Sequence, residues 1–462
     1  MLYLTNTPIQ KAKKGNTVKT RIFKNLSTSL IFLCMSMGQI NAEDLKDIYE
    51  LALLNDPTFK EAEASFRAGQ EYKVQGRAGL LPSLNLSGST GWNEYRLEEQ
   101  LLDEYNSNNY SVSLQQPLFR LDRWFQFKQG KALTDSAKAE FAFQQQEIMI
   151  RVATSYFNIL NARDSLSASK AEEEAIGRQR EQSEKRFEVG LASITELQDT
   201  QAAFDLSVVG TIIGESQLDS AKEFLSAIIG GSLPLLSPLI ENYPTPPPNP
   251  ISRESWVKLA LSNNFQLKAA RLNTTAAKNN ARASGSAHLP KIDIVGRVTK
   301  SSSRQGKFGG FIQNPLYDLE SDNRQYQIQV NFPLFAGGAI SSSRRQAYAQ
   351  YDRSKEQSLF IERSVIREVR SNHFNVQTQS ANVIARRQAL KSSESALEAT
   401  RIGYEVGNRN VVDLLQSERG LYAAQRDYAK SRYDYIIAVL RLKSSVGSLS
   451  PNDLFEVSSR ME

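Results

Sequence analysis

The sequence of 462 residues contains the same long unit twice. Residues 51–93 register with 259–301 at a constant offset of 208, and residues 152–231 register with 369–448 at an offset of 217. Leu81-Pro82 answers Leu289-Pro290, Pro117-Leu118-Phe119 answers Pro333-Leu334-Phe335, and Phe187-Glu188-Val189-Gly190 answers Tyr404-Glu405-Val406-Gly407. A period above 200 residues is far too long for a solenoid repeat, so one large unit has been duplicated and fused. Each copy has the same order: a helical segment, two alternating segments, then a very long helical pattern. Any fold for this chain must therefore be made of two similar halves.

The alternating segments carry the strongest constraint. Leu84, Leu86, Gly88 and Trp92 share a parity against Asn85, Ser87, Ser89 and Asn93. Tyr110, Val112 and Leu114 oppose Ser111, Ser113 and Gln115. In the second copy Ile292, Ile294 and Val298 oppose Asp293, Arg297 and Thr299, with Val295 as the exception. Tyr326, Ile328, Val330 and Phe332 oppose Gln327, Gln329 and Asn331. Strict period 2 predicts strands with one apolar and one wetted face. Trp92, Tyr95, Tyr110 and Tyr326 lie where the aromatic girdle of a membrane barrel belongs. A sheet in lipid must close, because orphaned backbone groups cost several kcal/mol each. Single-chain barrels need about eight strands or more, and this chain offers four. Closure then requires two, three or more copies of the chain around one barrel.

The charge balance excludes a large class of partners. Residues 1–42 hold six of the 56 basic residues and no acid, so the remaining 50 match the 50 acids. The excess that would suggest a nucleic-acid binder disappears from the rest of the chain. That leading segment, with an apolar run from Leu26 to Met37 ending at Ile40-Asn41-Ala42, reads as a secretory signal peptide cleaved after Ala42. Cleavage removes Cys34, the single cysteine, so the exported chain has no disulfide and no cysteine metal site.

Between Arg123 and Glu188 there is no proline over 66 residues, and apolar residues recur with helical, coiled-coil spacing. At 1.5 Å per residue such a helix is roughly 100 Å long. Its counterpart runs from about Ser341 to Arg401, and each turns back after Gly190 or Gly407 into a second helix ending at Gly230 or Gly447. Pro82, Pro117, Pro290 and Pro333 mark the joints between strand and helix. The predicted organisation is a signal peptide at 1–42; a first repeat at 43–231 with a hairpin at 83–119 and long helices at 123–230; a proline-rich linker at 232–251; a second repeat at 252–448 with a hairpin at 291–335 and long helices at 341–447; and a C-terminal segment at 449–462. The fold class is α+β: four strands given to a shared transmembrane β-barrel, plus a long α-helical coiled-coil barrel, internally duplicated.

With these residues in view the chain resembles the TolC family of trimeric outer-membrane channel-tunnels over 43–456. The resemblance is carried by Val189-Gly190-Leu191, Gly403-Tyr404, Val406-Gly407, Val411-Val412-Asp413-Leu414-Leu415, Leu289-Pro290 and Phe332-Pro333-Leu334-Phe335-Ala336-Gly337-Gly338. It implies a homotrimer in the cell outer membrane with its helical tunnel in the periplasm. It implies a passive exit duct for secreted proteins or small toxic compounds, served by an ABC or proton-driven inner-membrane transporter. A periplasmic adaptor would grip the tips at Val189, Gly190, Leu191, Val406, Gly407 and Asn408. Asp413 and Gln416 would line the periplasmic entrance constriction, with a single acidic ring because Gln416 stands where a second aspartate is common in the family. Tyr404 and Arg409 would latch the inner hairpin to Thr195 and Glu196 of the outer one, Arg409 holding Glu196 through a forked bond. Ser193 three residues before Glu196, and Asn410 three before Asp413, also form capping-box patterns, by which these acids would simply start helices.

The sequence offers nothing for catalysis. His288 and His373 are the only histidines and have no metal-ligand spacing around them. Gly306-Lys307-Phe308-Gly309-Gly310 lacks the ending of a phosphate loop, and Ser167-Ala168-Ser169-Lys170 has no companion motif. The expectation is a non-enzyme without cofactor or metal. The competing function is a structural or adhesive trimeric surface protein on a helical stalk.

Overall fold

A computed structural model describes residues 43–97, 100–304 and 318–462. The predicted signal peptide and the Gly306–Gly310 loop lie outside the described residues. Chain order is α1 (Leu45–Asn55), α2 (Pro57–Ala78), β1 (Ser83–Leu97), β2 (Gln100–Phe119), α3 (Leu121–Glu188) and α4 (Ile194–Ile229). The second copy follows as α5 (Arg253–Asn263), α6 (Phe265–Gly285), β3 (Lys291–Arg304), β4 (Asp318–Asn331), α7 (Ala339–Glu405) and α8 (Val411–Val446), with α9 (Pro451–Ser458) at the end.

The strands form one antiparallel sheet in the order β1-β2-β3-β4. Its register keeps residues of like parity on one side across both copies, with Lys300 opposite Tyr110 and Arg324 opposite Val298 as charged exceptions on the apolar side. Asn85 pairs with Ser113, Ser113 with Arg297, and Arg297 with Gln325; Leu86 pairs with Val112 and Val112 with Val298. Residues directly opposite share a face, so all four strands turn their apolar set to one side and their polar set to the other. Gly88 lies opposite Tyr110, and Gly296 opposite Tyr326. In both places the tyrosine ring covers the glycine, at 3.3 and 3.5 Å from where a Cβ would stand, the same aromatic cover of a strand glycine made twice. The apolar face is bare: Leu86, Trp92, Tyr110, Tyr326 and Ile328 are all more than half exposed. β1 and β4 are both edges, so one chain leaves the sheet open.

The sequence-based hairpin at 291–335 is corrected at its end. β4 stops at Asn331, and Phe332–Gly338 leaves the ladder because Pro333 has no N–H to give and Gly337 and Gly338 take positive φ. Both long helices also begin two residues earlier than the composition suggested, at Leu121 and Ala339.

Each of these helices, 68 and 67 residues, is flanked by two shorter helices stacked end to end. α4 covers the lower part of α3 and α2 the upper part; α8 and α6 do the same beside α7. The stacking points are built alike. Gly230 and Gly447 end α4 and α8 in the left-handed region, and a Cβ on Gly447 would overlap the carbonyl oxygen of Asn263. Asp56 begins α2 by accepting from the N–H groups of Thr58 and Phe59, and Asn264 begins α6 by accepting from that of Leu267. Asp56 is buried against Arg151, whereas Asn264 donates to the Ser445 carbonyl at 2.8 Å.

The apolar core sits at this waist. Leu45, Ile48, Tyr156, Phe157, Leu160, Leu225, Ile436, Leu442 and Leu454 are fully buried there, and the Phe157 and Tyr433 rings stack at 5.6 Å. α9, within the predicted C-terminal segment 449–462, adds Leu454 to the core, and its start is held by the Asp453 carboxylate accepting from the Ser450 N–H and hydroxyl. The proline-rich linker is tied to the same waist. Tyr156 donates to the Ser237 carbonyl, Tyr435 to that of Pro246, and Arg432 to those of Ile240 and Glu241.

Candidate functional site

At the end remote from the sheet, two helix hairpins stand side by side, α3/α4 and α7/α8. Both turn by the same device. Gly190 and Gly407 take φ of 77° and 79°, conformations that a side chain resists. The Leu191 N–H then reaches the Arg186 carbonyl at 2.7 Å, and the Asn408 N–H reaches that of Gly403 at 2.8 Å, closing a Schellman turn in each copy. Because these turns sit past the last packed residues, Val189, Leu191 and Val406 are 64–70% exposed.

Just above the turns a small separate core of Ile176, Ala203, Val411 and Leu415, with Phe204 and Tyr404 against it, joins the two hairpins. The polar contacts are set into its edge. Tyr404 donates from its hydroxyl to Glu196 Oε1 at 2.8 Å and accepts from Arg186 Nη1 at 2.6 Å and Gln179 Nε2 at 3.3 Å. The Arg186 guanidinium lies over the Tyr404 ring at 5.4 Å and is 3.9 Å from the Glu196 carboxylate. Burial, followed by the hydrogen bond to Glu196, raises the Tyr404 phenol above its ordinary range, so it stays a neutral donor.

The capping boxes are only half made, and this frees the latch. Ser193 and Asn410 do accept from the N–H groups of Glu196 and Asp413. The reciprocal bond is missing in both, because the Glu196 carboxylate goes to Tyr404 and that of Asp413 faces Arg409 at 3.7 Å.

Two predicted latch residues are corrected within the chain. Arg409 does not hold Glu196: its stem lies along Gly403, and its guanidinium meets Asp413, four residues on. Thr195 is exposed, and its side chain makes no hydrogen bond among the described residues. Their places are taken by Arg186 and Gln179, which the sequence reading missed. With buried Ser183 these two form a polar stripe at i, i+4 and i+7 along α3 where an apolar seam would run, and that interruption was the available signal. Asp413 and Gln416 lie on the first turns of α8; the Asp413 side chain is 41% exposed and Gln416 is exposed.

A further carboxylate stands higher on the seam between α3 and α8. Glu418 has one oxygen buried with no hydrogen-bond partner among the described residues. Burial, with Glu172 adding to it and Arg178 opposing, pushes its pKa up to about 6. No group of acids, histidines and cysteines among the described residues is arranged to hold a metal ion.

An open apolar-faced sheet thus stands above a duplicated pair of helical hairpins about 100 Å long. The sequence matches the outer membrane efflux protein family twice, over residues 48–231 and 256–448. The chain belongs to that family. It is 33% identical over 452 residues to the outer membrane protein TolC of Escherichia coli K12, covering 95% of this chain and 89% of that one. It is 30% identical over 432 residues to the alkaline protease secretion protein AprF of Pseudomonas aeruginosa, covering 92% and 88%. Among solved structures the Campylobacter jejuni CmeC outer membrane channel superposes with a TM-score of 0.75 at 15% identity, covering 99% of this chain and 98% of that one. The sheet is therefore the outer-membrane part of an exit duct, its apolar face toward lipid, and the helices run down through the periplasm.

Proposed function

We propose that three copies of this chain close one twelve-stranded barrel and one helical tunnel, which conducts cargo passively from an inner-membrane transporter to the outside. The observation that carries this reading is the four-stranded sheet with β1 and β4 both unpaired, continuous with helices long enough to line a periplasmic conduit. Apolar residues left bare on two different helices support a head-to-tail ring. These are Leu206, Val209, Ile212 and Phe224 on α4, and Phe360, Phe374 and Ile384 on α7. A heterologous contact between such unlike surfaces repeats head to tail and closes into a ring when its rotation allows, whereas an isologous pair needs the same surface on both partners.

The mouth is the regulated element in this reading. Tyr404, Glu196, Arg186 and Gln179 hold the inner hairpin against the outer one, while Asp413, repeated around the axis, gives a single ring of negative charge that favours cations. The exposed tips at Val189, Gly190, Leu191, Val406, Gly407 and Asn408 suit an adaptor protein. Nothing in this scheme requires catalysis. One relative's name points to protein cargo: AprF is named for protease secretion. Purified protein added to a planar bilayer tests the duct. Stepwise, cation-selective conductance is expected; electrically silent insertion contradicts it and favours the helical-stalk reading.

A further inference from the structure

We infer that the top of the helical region carries a built site for anionic phospholipid headgroups of the periplasmic leaflet, centred on Trp124, Lys128 and Arg282. The lower edge of the apolar band is marked twice, by Leu118 and Phe119 and by Leu334 and Phe335, which are 43–88% exposed. Directly beneath it the charge is one-sided. Across 73–79, 120–131, 278–293 and 339–345 the sequence has eleven lysines and arginines and two acids, Asp122 and Asp293. Both acids are already held by Arg120, at 3.0 and 3.2 Å. Lys128 and Arg282 make no ion pair among the described residues.

The contacts of α3 show which way these groups face. Asp122 reaches Arg120 and, through it, Asp293 on the polar face of the sheet. Phe127 and Thr134 face α2, where Gly76 packs on the Phe127 backbone and Thr134 donates to the Gly69 carbonyl. Phe125 and Ser136 face α6, through Arg282 and the Ala269 carbonyl. The remaining side, which holds Trp124, Lys128 and Lys131, points away from the wetted face and toward the lipid side.

The cluster is ordered from within. Lys128 Nζ lies 5.3 Å over the Trp124 ring and 5.9 Å from Phe125, and Arg282 lies 5.8 Å over the other ring partner, Phe125. Helical side chains lean toward the N-terminus, which on α3 is the membrane end. The Lys128 ammonium therefore sits near the level of Trp124, about 6 Å below Arg120, within the headgroup layer. A half-exposed tryptophan with unpaired cations around it, under an apolar band, matches an anionic lipid: acyl chains on the band, phosphate on the cations. The nearest acid on that side, Asp135, is seven residues further down, roughly 10 Å from Lys128.

The test is native mass spectrometry on the full assembly in a neutral detergent, given equal amounts of phosphatidylglycerol and phosphatidylcholine of the same chain length. Wild type should retain phosphatidylglycerol in preference. Lys128→Gln with Arg282→Gln should reduce that preference about fivefold for each cation removed, while Lys391→Gln, far down α7, leaves it unchanged. Equal retention of the two lipids by wild type, an undiminished preference in the double variant, or an equal fall in Lys391→Gln would overturn the site. The inference rests on the membrane placement of the strands, so conductance is recorded on the same samples. Normal conductance without lipid preference defeats the headgroup site alone. A wild type that never conducts defeats the membrane placement, and the lipid site with it.

Discussion

Replacing Tyr404 with phenylalanine removes one oxygen from the mouth and leaves its packing against Ile176 and Leu415 intact. That oxygen has three partners: Glu196 at 2.8 Å, Arg186 at 2.6 Å and Gln179 at 3.3 Å. Hydrogen bonds to charged groups contribute about 1.5–3 kcal/mol each when desolvated. Here the Glu196 and Arg186 side chains are 19% and 37% exposed, so water replaces part of what is lost. Arg186, already 3.9 Å from Glu196, can also close directly onto the carboxylate. The net loss is then about 1–2 kcal/mol per chain. In a three-fold mouth that opens as a unit the losses add, to about 3–6 kcal/mol, or a shift of two to four decades in the closed-to-open ratio. Single-channel recording of purified Tyr404→Phe in planar bilayers measures this directly, as larger mean conductance and longer openings than wild type. Unchanged conductance and open time, with Glu196→Gln equally silent, would refute the latch.

Arg409→Ser uncovers the Asp413 carboxylate and should raise the cation-to-anion permeability ratio in reversal-potential measurements, whereas Asp413→Asn should lower it; equal ratios in both would remove Asp413 from the conduction path. Glu418 supplies a pH test. Its carboxyl has a folded pKa of about 6, above the ordinary 4.5, so the folded state holds the extra proton between those values and stability falls as pH rises from about 4.5 to 6. Glu418→Gln should flatten that slope and raise the melting temperature at pH 7 by the equivalent of about 1 kcal/mol, after allowing for partial exposure. An unaltered slope in the variant would place the titration elsewhere.

The strands and the long helices were legible in the sequence for one physical reason: both patterns are local. Period 2 at Leu84–Trp92 and Tyr326–Val330 fixes the faces of a sheet, and the offsets of 208 (Leu81-Pro82 to Leu289-Pro290) and 216 (Tyr110 to Tyr326) fix which strands correspond. Pro333 was equally readable as a breaker, although the strand ends at Asn331 before it. The mouth was harder because its contacts join residues some 200 positions apart. Tyr404 and Glu196 were legible only through the family resemblance, and their bond is present. Arg186 and Gln179 were not, since their role depends on how α3 settles against α7, and only Ser183 and Gln179 interrupting an apolar seam hinted at it. Arg409 went astray for the opposite reason. A carboxylate four residues along its own chain, Asp413, lay closer than Glu196 on the neighbouring hairpin.

One chain leaves its membrane sheet unfinished, with β1 and β4 both at an edge. Mass photometry of the detergent-extracted protein, corrected for the micelle, measures this most directly. A single species at three times the chain mass, conducting ions when reconstituted, is expected. A folded, conducting species with the mass of one chain would contradict it.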